Sequence, residues 1–336
     1  MKIKLGIIGL GNIIEKHIQA IEEISEFEIK YVCDKNPEKL KSVMQKLNCK
    51  GYADYDKLLM EKPDVVLITL PHGLHCKVTI DAIKAGCHVM VEKPMAINVE
   101  ECNKMLSAAK EYKKHIIVTD LASFYPGVLK TAQEFRSGFL GRFFTGCIMN
   151  IRYYFNNDRP SWFLDPEMSG GGMFFNIGIH RLAIARGCLP GLNPISVSAS
   201  VSYLPKYKIE ACTSAIVKYK EGGSMIYEEV GYYPKPDWIN SVTHFIFERG
   251  IVAWDEHLWK MMDTNGNEKV EVLKYKENPY IDTYYNLLKA INGEYYYPTA
   301  YEYAMDIAVA QAVYASSAQG REICLKSAEF TIKNDL

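Results

Sequence analysis

Residues 3–14 read Ile-Lys-Leu-Gly-Ile-Ile-Gly-Leu-Gly-Asn-Ile-Ile, and the reading of this stretch decides the fold. Ile3 to Ile8 is a short apolar run, as a strand buried on both faces should be. The run breaks at Gly9-Leu10-Gly11-Asn12-Ile13, after which Ile14, Ile18 and Ile21 recur at helical spacing. In a strand–turn–helix of this kind the first glycine permits the tight turn and the second lets backbone approach a pyrophosphate. Free amides at the helix N-terminus complete an anion site. The third position of the pattern is Ile14, which loosens the helix–sheet packing role but leaves the anion site in place. The same glycines could also form a turn that holds no ligand. Asp34 counts for a nucleotide, because it closes the next strand, Phe27 to Cys33, where a carboxylate can accept hydrogen bonds from ribose hydroxyls. Gly9, Gly11, Asn12, Ile13, Asp34 and Lys35 are therefore the first candidate cofactor contacts.

Strand-like and helix-like segments continue to alternate as far as residue 120, the pattern of a parallel sheet with helices on both faces. Pro37 suits the first turn of a helix. Val65 to Thr69 and His88 to Glu92 read as further strands, with a helix from about His75 ending at Gly86 between them. Asn98 with Glu101 resembles a capping box, and His115 to Thr119 supplies the last strand. The expectation is a doubly wound dinucleotide fold over 1–120.

Beyond residue 120 the alternation is lost. Gly127 to Ser137 reads as a helix, followed by strands at Phe143–Phe155, Ile195–Tyr203, Ala211–Lys220 and Ser224–Tyr233, with Glu221-Gly222-Gly223 as a hairpin turn. More strands are expected near Thr243–Glu248, Ile251–Trp254 and Lys269–Tyr275. Thr299 and Glu302 cap a final helix over about 299–319, which Gly320 closes. Residues 121–336 thus form a second α/β domain.

The 336 residues suit two domains at about 150 each. With 48% apolar and 24% charged residues, the composition excludes a disordered or fibrous chain. A net charge of -1 gives no basic excess for nucleic acid, and no run of 18 apolar residues spans a membrane. The nine cysteines are odd in number and lack the spacing of a disulfide framework or zinc site, so reduced thiols, no metal and a cytoplasmic location are expected. The N-terminus has two lysines before an apolar stretch but no small-residue cleavage site, so it reads as a strand rather than a signal peptide. Tyrosine is abundant at 23, with clusters at Tyr232-Tyr233 and Tyr295-Tyr296-Tyr297 that suit sheet packing, a sugar surface or a subunit contact.

Three further groups make the pattern specific: Thr69-Leu70-Pro71 with His75, Glu92-Lys93-Pro94, and Gly170-Gly171-Gly172 followed by Asn176 and His180. Trp162, Gly138-Phe139-Leu140-Gly141 and Tyr314 to Gly320 accompany them. Together with the first motif, they resemble the glucose-fructose oxidoreductase / inositol dehydrogenase / MocA family over nearly the whole chain. The resemblance implies a Rossmann domain followed by an α/β domain with a large, open, mostly antiparallel sheet. It also implies oxidation or reduction of a secondary alcohol on a sugar, cyclitol or derivative, with NAD or NADP. On this reading Lys93 and His180 act at the substrate. Thr69, Leu70, Pro71, His75, Glu92 and Lys93 join the cofactor contacts.

The chemistry agrees, since hydride leaves a carbon only as its hydroxyl loses a proton, and the site then needs a base and an alkoxide-stabilising group. Asp34 should favour NAD over NADP, with Lys35 softening the choice. Tyr153, Arg159 and Trp162, before the triple glycine, are candidate substrate contacts. Two departures stand out. Asn176 replaces a common aspartate, and Ser123-Phe124-Tyr125-Pro126 replaces a common Arg-Phe pair before proline. Asn176 is counted with the catalytic group as a neutral partner one turn from His180. An open sheet needs cover, so a homodimer or homotetramer through the C-terminal sheet is expected. A non-catalytic dinucleotide or sugar sensor and an NAD-dependent, redox-assisted glycosidase remain as alternative functions.

Overall fold

The computed structural model describes residues 2–156, 159–231 and 242–333. The chain forms two compact units: Met1–Leu121 with Glu277–Ala304 and Ile332–Leu336, and Ala122–Lys276 with Met305–Thr331. Residues 277–304 thus return to the first unit, a feature that the expected division into 1–120 and 121–336 did not include. The reason lies in packing. The helix Ile281–Ile291 buries Tyr284, Leu287 and Ala290 in one cluster with Ile14, Ile18 and Ile21 of the first helix.

In the first unit, β1 (Ile3–Ile8), β2 (Phe27–Cys33), β3 (Lys50–Tyr52), β4 (Val65–Ile68), β5 (His88–Glu92) and β6 (Ile116–Thr119) form one sheet in the order β3-β2-β1-β4-β5-β6. All its pairs are parallel. The strand order reverses between β1 and β4, the switch point at which such sheets bind ligands. Helix ends follow local chemistry. The Asn36 side chain accepts the amides of Glu38 and Lys39, and Asn98 accepts that of Glu101 at 2.8 Å. The Glu101 carboxylate reaches back to the Ile97 amide, one residue beyond the N-cap amide of a regular capping box.

Among the described residues the second unit is built on nine strands: β7 (Phe143–Ile151), β8 (Pro194–Tyr203), β9 (Glu210–Tyr219), β10 (Ser224–Val230), β11 (Val242–Phe247), β12 (Gly250–Trp254), β13 (Leu258–Asp263), β14 (Glu268–Val272) and β15 (Ile323–Cys324). Their order is β14-β13-β12-β11-β7-β10-β9-β8-β15. Among the described strands of this sheet only β7 and β10 pair in parallel. Alternation divides the faces: Ile148, Ala215, Val217, Met225, Tyr227 and Phe245 are buried, while Phe144, Ile216 and Ile226 on the other face are exposed. Ile216 and Ile226 lie opposite one another in the register.

Several boundaries differ from expectation. β7 ends at Ile151 rather than Phe155, β14 at Val272 rather than Tyr275, and β10 at Val230, with Tyr232-Tyr233 outside the described residues. β13 and the helix Ile281–Ile291 were not anticipated. The final helix runs Ala300–Gln319, with the Thr299 amide donating to Glu302 at 2.7 Å and Gly320 at φ 63 beyond its end.

An ion pair ties this helix to the helix Ile179–Cys188. Arg186 donates to Asp306 through Nη2 at 2.8 Å and Nε at 3.1 Å, with both side chains largely buried. Removing one member leaves a charge in a low-dielectric interior, a loss of about 3–5 kcal/mol. Asp306→Ala is expected to lower unfolding free energy by roughly that amount, measured by urea denaturation.

Candidate functional site

The glycine turn is shaped by contact with β4. Gly9 has φ +98, and a Cβ there would lie 2.6 Å from the Thr69 carbonyl oxygen. The Thr69 hydroxyl donates to the Gly9 carbonyl at 2.6 Å. Gly11 differs, since a Cβ there would meet nothing within 4 Å, so the space beside it is open. The helix Ile14–Glu22 follows directly and has no side-chain cap. Asp34 accepts the Leu10 amide on Oδ2 and the Asn36 amide on Oδ1, both at 2.7 Å. Each carboxylate oxygen retains a second lone pair for a further donor. Ile14, in the third glycine position, is buried in the hydrophobic core. Asn12 and Lys35 are exposed, while Ile13, Thr69, Leu70 and Pro71 are half-buried.

Lys93 is half-buried immediately after β5. Its neighbour Glu92 points into the unit, where Oε1 accepts His17 Nε2 at 2.9 Å and the Thr119 hydroxyl at 2.8 Å. His17 has no exposed surface, and its Nδ1 meets the Tyr284 hydroxyl at 2.9 Å. Burial alone would raise the Glu92 carboxyl. His17, Lys93 and Thr119 together outweigh it and hold the group below its ordinary value. His75, expected among the cofactor contacts, is fully buried, with Nδ1 2.9 Å from the Pro94 carbonyl and Nε2 2.8 Å from the Leu70 carbonyl. Burial lowers its pKa, and the Lys93 charge adds to the effect while the two carbonyls oppose it.

In the second unit the triple glycine serves close approach. A Cβ on Gly172 would fall 2.2 Å from the Glu210 carbonyl oxygen, and one on Gly171 2.3 Å from the Tyr314 hydroxyl. The buried Glu210 carboxylate accepts the amides of Gly172 at 2.5 Å, Phe174 at 2.8 Å and Phe175 at 3.4 Å. It thereby orders the start of the segment that carries Asn176 and His180. That segment is not a regular α-helix throughout: Phe174–Gly178 is a π-turn, and the α-helix begins at Ile179. The expected one-turn stacking of residues 176 and 180 is therefore altered, since a π-turn adds a residue to each turn. Asn176 is buried and donates from Nδ2 to the Tyr154 hydroxyl at 3.1 Å; His180 is half-buried.

Tyr154, not Tyr153, is the residue built into this cluster. Tyr153 is 46% exposed, whereas Tyr154 is fully buried and lies under Arg159, whose guanidinium sits 3.8 Å from the ring centroid. Arg159 Nε also donates to the Tyr154 carbonyl at 2.7 Å, and Trp162 stacks on Phe163 at 3.7 Å. Beside His180, Arg181 Nε stands 3.7 Å from Oε1 of the fully buried Glu229, and Asn150 donates to Glu229 Oε2 at 2.8 Å. Among the described residues neither Arg181 Nε nor Glu229 Oε1 has a hydrogen-bond partner.

Family models match both halves of the chain. Residues 3–120 match the oxidoreductase family with an NAD-binding Rossmann fold, and residues 128–238 match the GFO/IDH/MocA C-terminal domain. The chain belongs to the GFO/IDH/MocA family. Within it, the chain is 29% identical over 188 residues to D-glucoside 3-dehydrogenase of Escherichia coli K12, covering 54% of this chain and 53% of that protein. It is 27% identical over 250 residues to 1-carboxy-3-chloro-3,4-dihydroxycyclo hexa-1,5-diene dehydrogenase of Comamonas testosteroni, covering 71% of this chain and 62% of that one. The matches thus span little more than half the length of these curated relatives. The GFO/IDH/MocA fold itself aligns along the whole chain: the aldose-aldose oxidoreductase of Caulobacter crescentus superposes with a TM-score of 0.85 at 22% identity, over 97% of this chain and all of that one.

Sequence reasoning missed His17, Tyr154, Glu210, Glu229 and Tyr284. Only His17 left a signal, a polar residue beside the apolar stripe Ile14, Ile18 and Ile21. Among the described residues no cluster of three or more His, Cys, Asp or Glu could hold a metal, and no helix is long and apolar enough to cross a membrane.

Burial, opposed by Arg181, Asn150 and Arg152, lifts the Glu229 carboxyl from 4.5 to about 7. The protonated form therefore favours the fold. Its contribution is full below pH 4.5 and is lost as pH rises through about 7. That interval corresponds to about 3 kcal/mol. Glu229→Gln should abolish this decline and exceed the parent in stability above pH 7, as measured by urea denaturation between pH 5 and 8.

Proposed function

We propose that the protein is an NAD-dependent oxidoreductase that moves a hydride to or from a secondary alcohol or ketone of a sugar, cyclitol or derivative. One observation carries this reading: Lys93 stands at the carboxyl end of a parallel strand in a sheet whose switch point bears an open glycine turn and a carboxylate. The residues fit the dinucleotide. The open room at Gly11 and the uncapped helix behind it suit its diphosphate, and Asp34 suits a ribose. Thr69, Leu70 and Pro71, at the end of β4, line the same edge of the sheet. Bound there, NAD would supply the hydride acceptor or donor. Lys93 stabilises the developing negative charge on the substrate oxygen, and His180 exchanges its proton. Arg159 and Trp162 are proposed as substrate contacts, with Tyr153 beside them. Asn176 orients its surroundings through Tyr154 without adding charge. The names of the two curated relatives, a glucoside and a cyclic diol dehydrogenase, support this substrate class.

The exposed face carrying Phe144, Ile216 and Ile226 is proposed to join copies of the chain into a dimer or tetramer. The free cysteines, most of them buried, agree with a cytoplasmic setting.

The test is nicotinamide absorbance during incubation with aldoses, cyclitols and their keto forms. A net change marks the dehydrogenase. Substrate cleavage without net change would replace it with a redox-assisted glycosidase, and binding without turnover with a sensor. Lys93→Ala should keep NADH affinity while turnover falls roughly a hundredfold or more. A variant with near-normal turnover would remove Lys93 from the chemistry. Asp34 should also make NADH bind more tightly than NADPH by fluorescence titration, since a 2′-phosphate would meet its negative charge; the opposite order would overturn that assignment.

A further inference from the structure

Lys93 sits between two residues that are each anchored on a buried imidazole. The Glu92 carboxylate is held by His17 from the helix Ile14–Glu22, and the Pro94 carbonyl by His75 from the helix His75–Lys84. Neither histidine has exposed surface. We infer that His17 and His75 are positioning residues for Lys93, acting through single ring nitrogens: Nε2 of His17 on Glu92, and Nδ1 of His75 on Pro94. The inference rests on the proposed role of Lys93 and adds the machinery that fixes it.

The hydrogen-bond chemistry assigns the proton on His17. A carboxylate only accepts, so His17 Nε2 carries hydrogen, and a neutral ring can then take the Tyr284 hydroxyl on Nδ1. His75 faces two carbonyl oxygens, which also only accept. A neutral ring donates to one of them, an imidazolium to both. The bond that matters to Lys93 is the one to Pro94. The other, to Leu70, braces the loop after β4. A lysine whose two neighbours are pinned to different helices has its backbone fixed on both sides, which leaves only its side chain to move toward a substrate.

Amide side chains separate the two nitrogens of each ring, because the asparagine amide nitrogen falls near Nδ1 and the glutamine amide nitrogen near Nε2. His75→Asn therefore keeps the Pro94 bond and His75→Gln loses it. For the other residue, His17→Gln keeps the Glu92 bond and His17→Asn loses it. The readout that does not depend on activity is the rate at which an amine-reactive acetylating reagent labels Lys93, followed by mass spectrometry relative to the exposed Lys57. The expected result is near-parent labelling in His75→Asn and His17→Gln, with severalfold faster labelling in His75→Gln and His17→Asn. Turnover should follow the same order, falling roughly ten- to a hundredfold in the second pair with NADH affinity kept, the scale of an ångström-level misplacement.

Equal effects in both members of each pair, or the reverse order, would overturn the inference, because a merely structural histidine does not distinguish its nitrogens in this way. If the labelling order appears but no alcohol is oxidised, the positioning role stands and the proposed reaction fails. Where a histidine variant does not fold, Thr119→Val removes the second donor to Glu92 at nearly constant shape. It should speed Lys93 labelling without changing that of Lys57; unchanged labelling would count against the inference.

Discussion

A carboxylate with almost no exposed surface is tolerated only when donors surround it, and Glu92 imposes that condition on the first unit. Its oxygen draws a hydroxyl from β6 and an imidazole from the first helix, and the imidazole in turn engages a tyrosine from the helix Ile281–Ile291. One charge thus joins the end of β5, the helix behind the glycine turn and a segment that returns from far along the chain. The return of residues 277–304 to this unit follows from the same place, because Tyr280 and Tyr284 pack on the His17 ring.

The second unit repeats the device with a different backbone. Glu210 is also a buried carboxylate, but its partners are three main-chain amides at the start of the segment bearing Asn176 and His180. Burial raises its pKa, and the amides of Gly172 and Phe174 with the Tyr314 hydroxyl work against that rise. The glycines before this segment are small because Glu210 and Tyr314 already occupy the space a side chain would need. In both units, then, an acid buried behind the surface sets the geometry of residues nearer to it.

What could be read from the sequence was what depends on neighbours along the chain. The glycine turn, Asp34 after β2, the Asn98 cap and the helix closing at Gly320 all rest on local backbone chemistry, and each was legible. The His17–Tyr284 contact was not, because its partners lie 267 residues apart and no periodicity announces them. The burial of Tyr154 was hidden too: β7 ends at Ile151, and from there alternation no longer tells which residue faces inward. The π-turn was equally hidden: the Glu210 carboxylate that gathers amides at its start comes from β9, more than thirty residues away.

Asp34 has a consequence of a different kind. The carboxylate that would select the coenzyme also fastens Leu10 of the glycine turn and Asn36 at the cap of the following helix. On the proposed reading, recognition and scaffold are one and the same group. On the proposed reading, exchanging it for an apolar residue to admit a 2′-phosphate would at once release two backbone amides and loosen the turn proposed to hold the diphosphate. On that reading coenzyme preference is tied to the hydrogen bonds that shape the turn, so a change at residue 34 would alter both together.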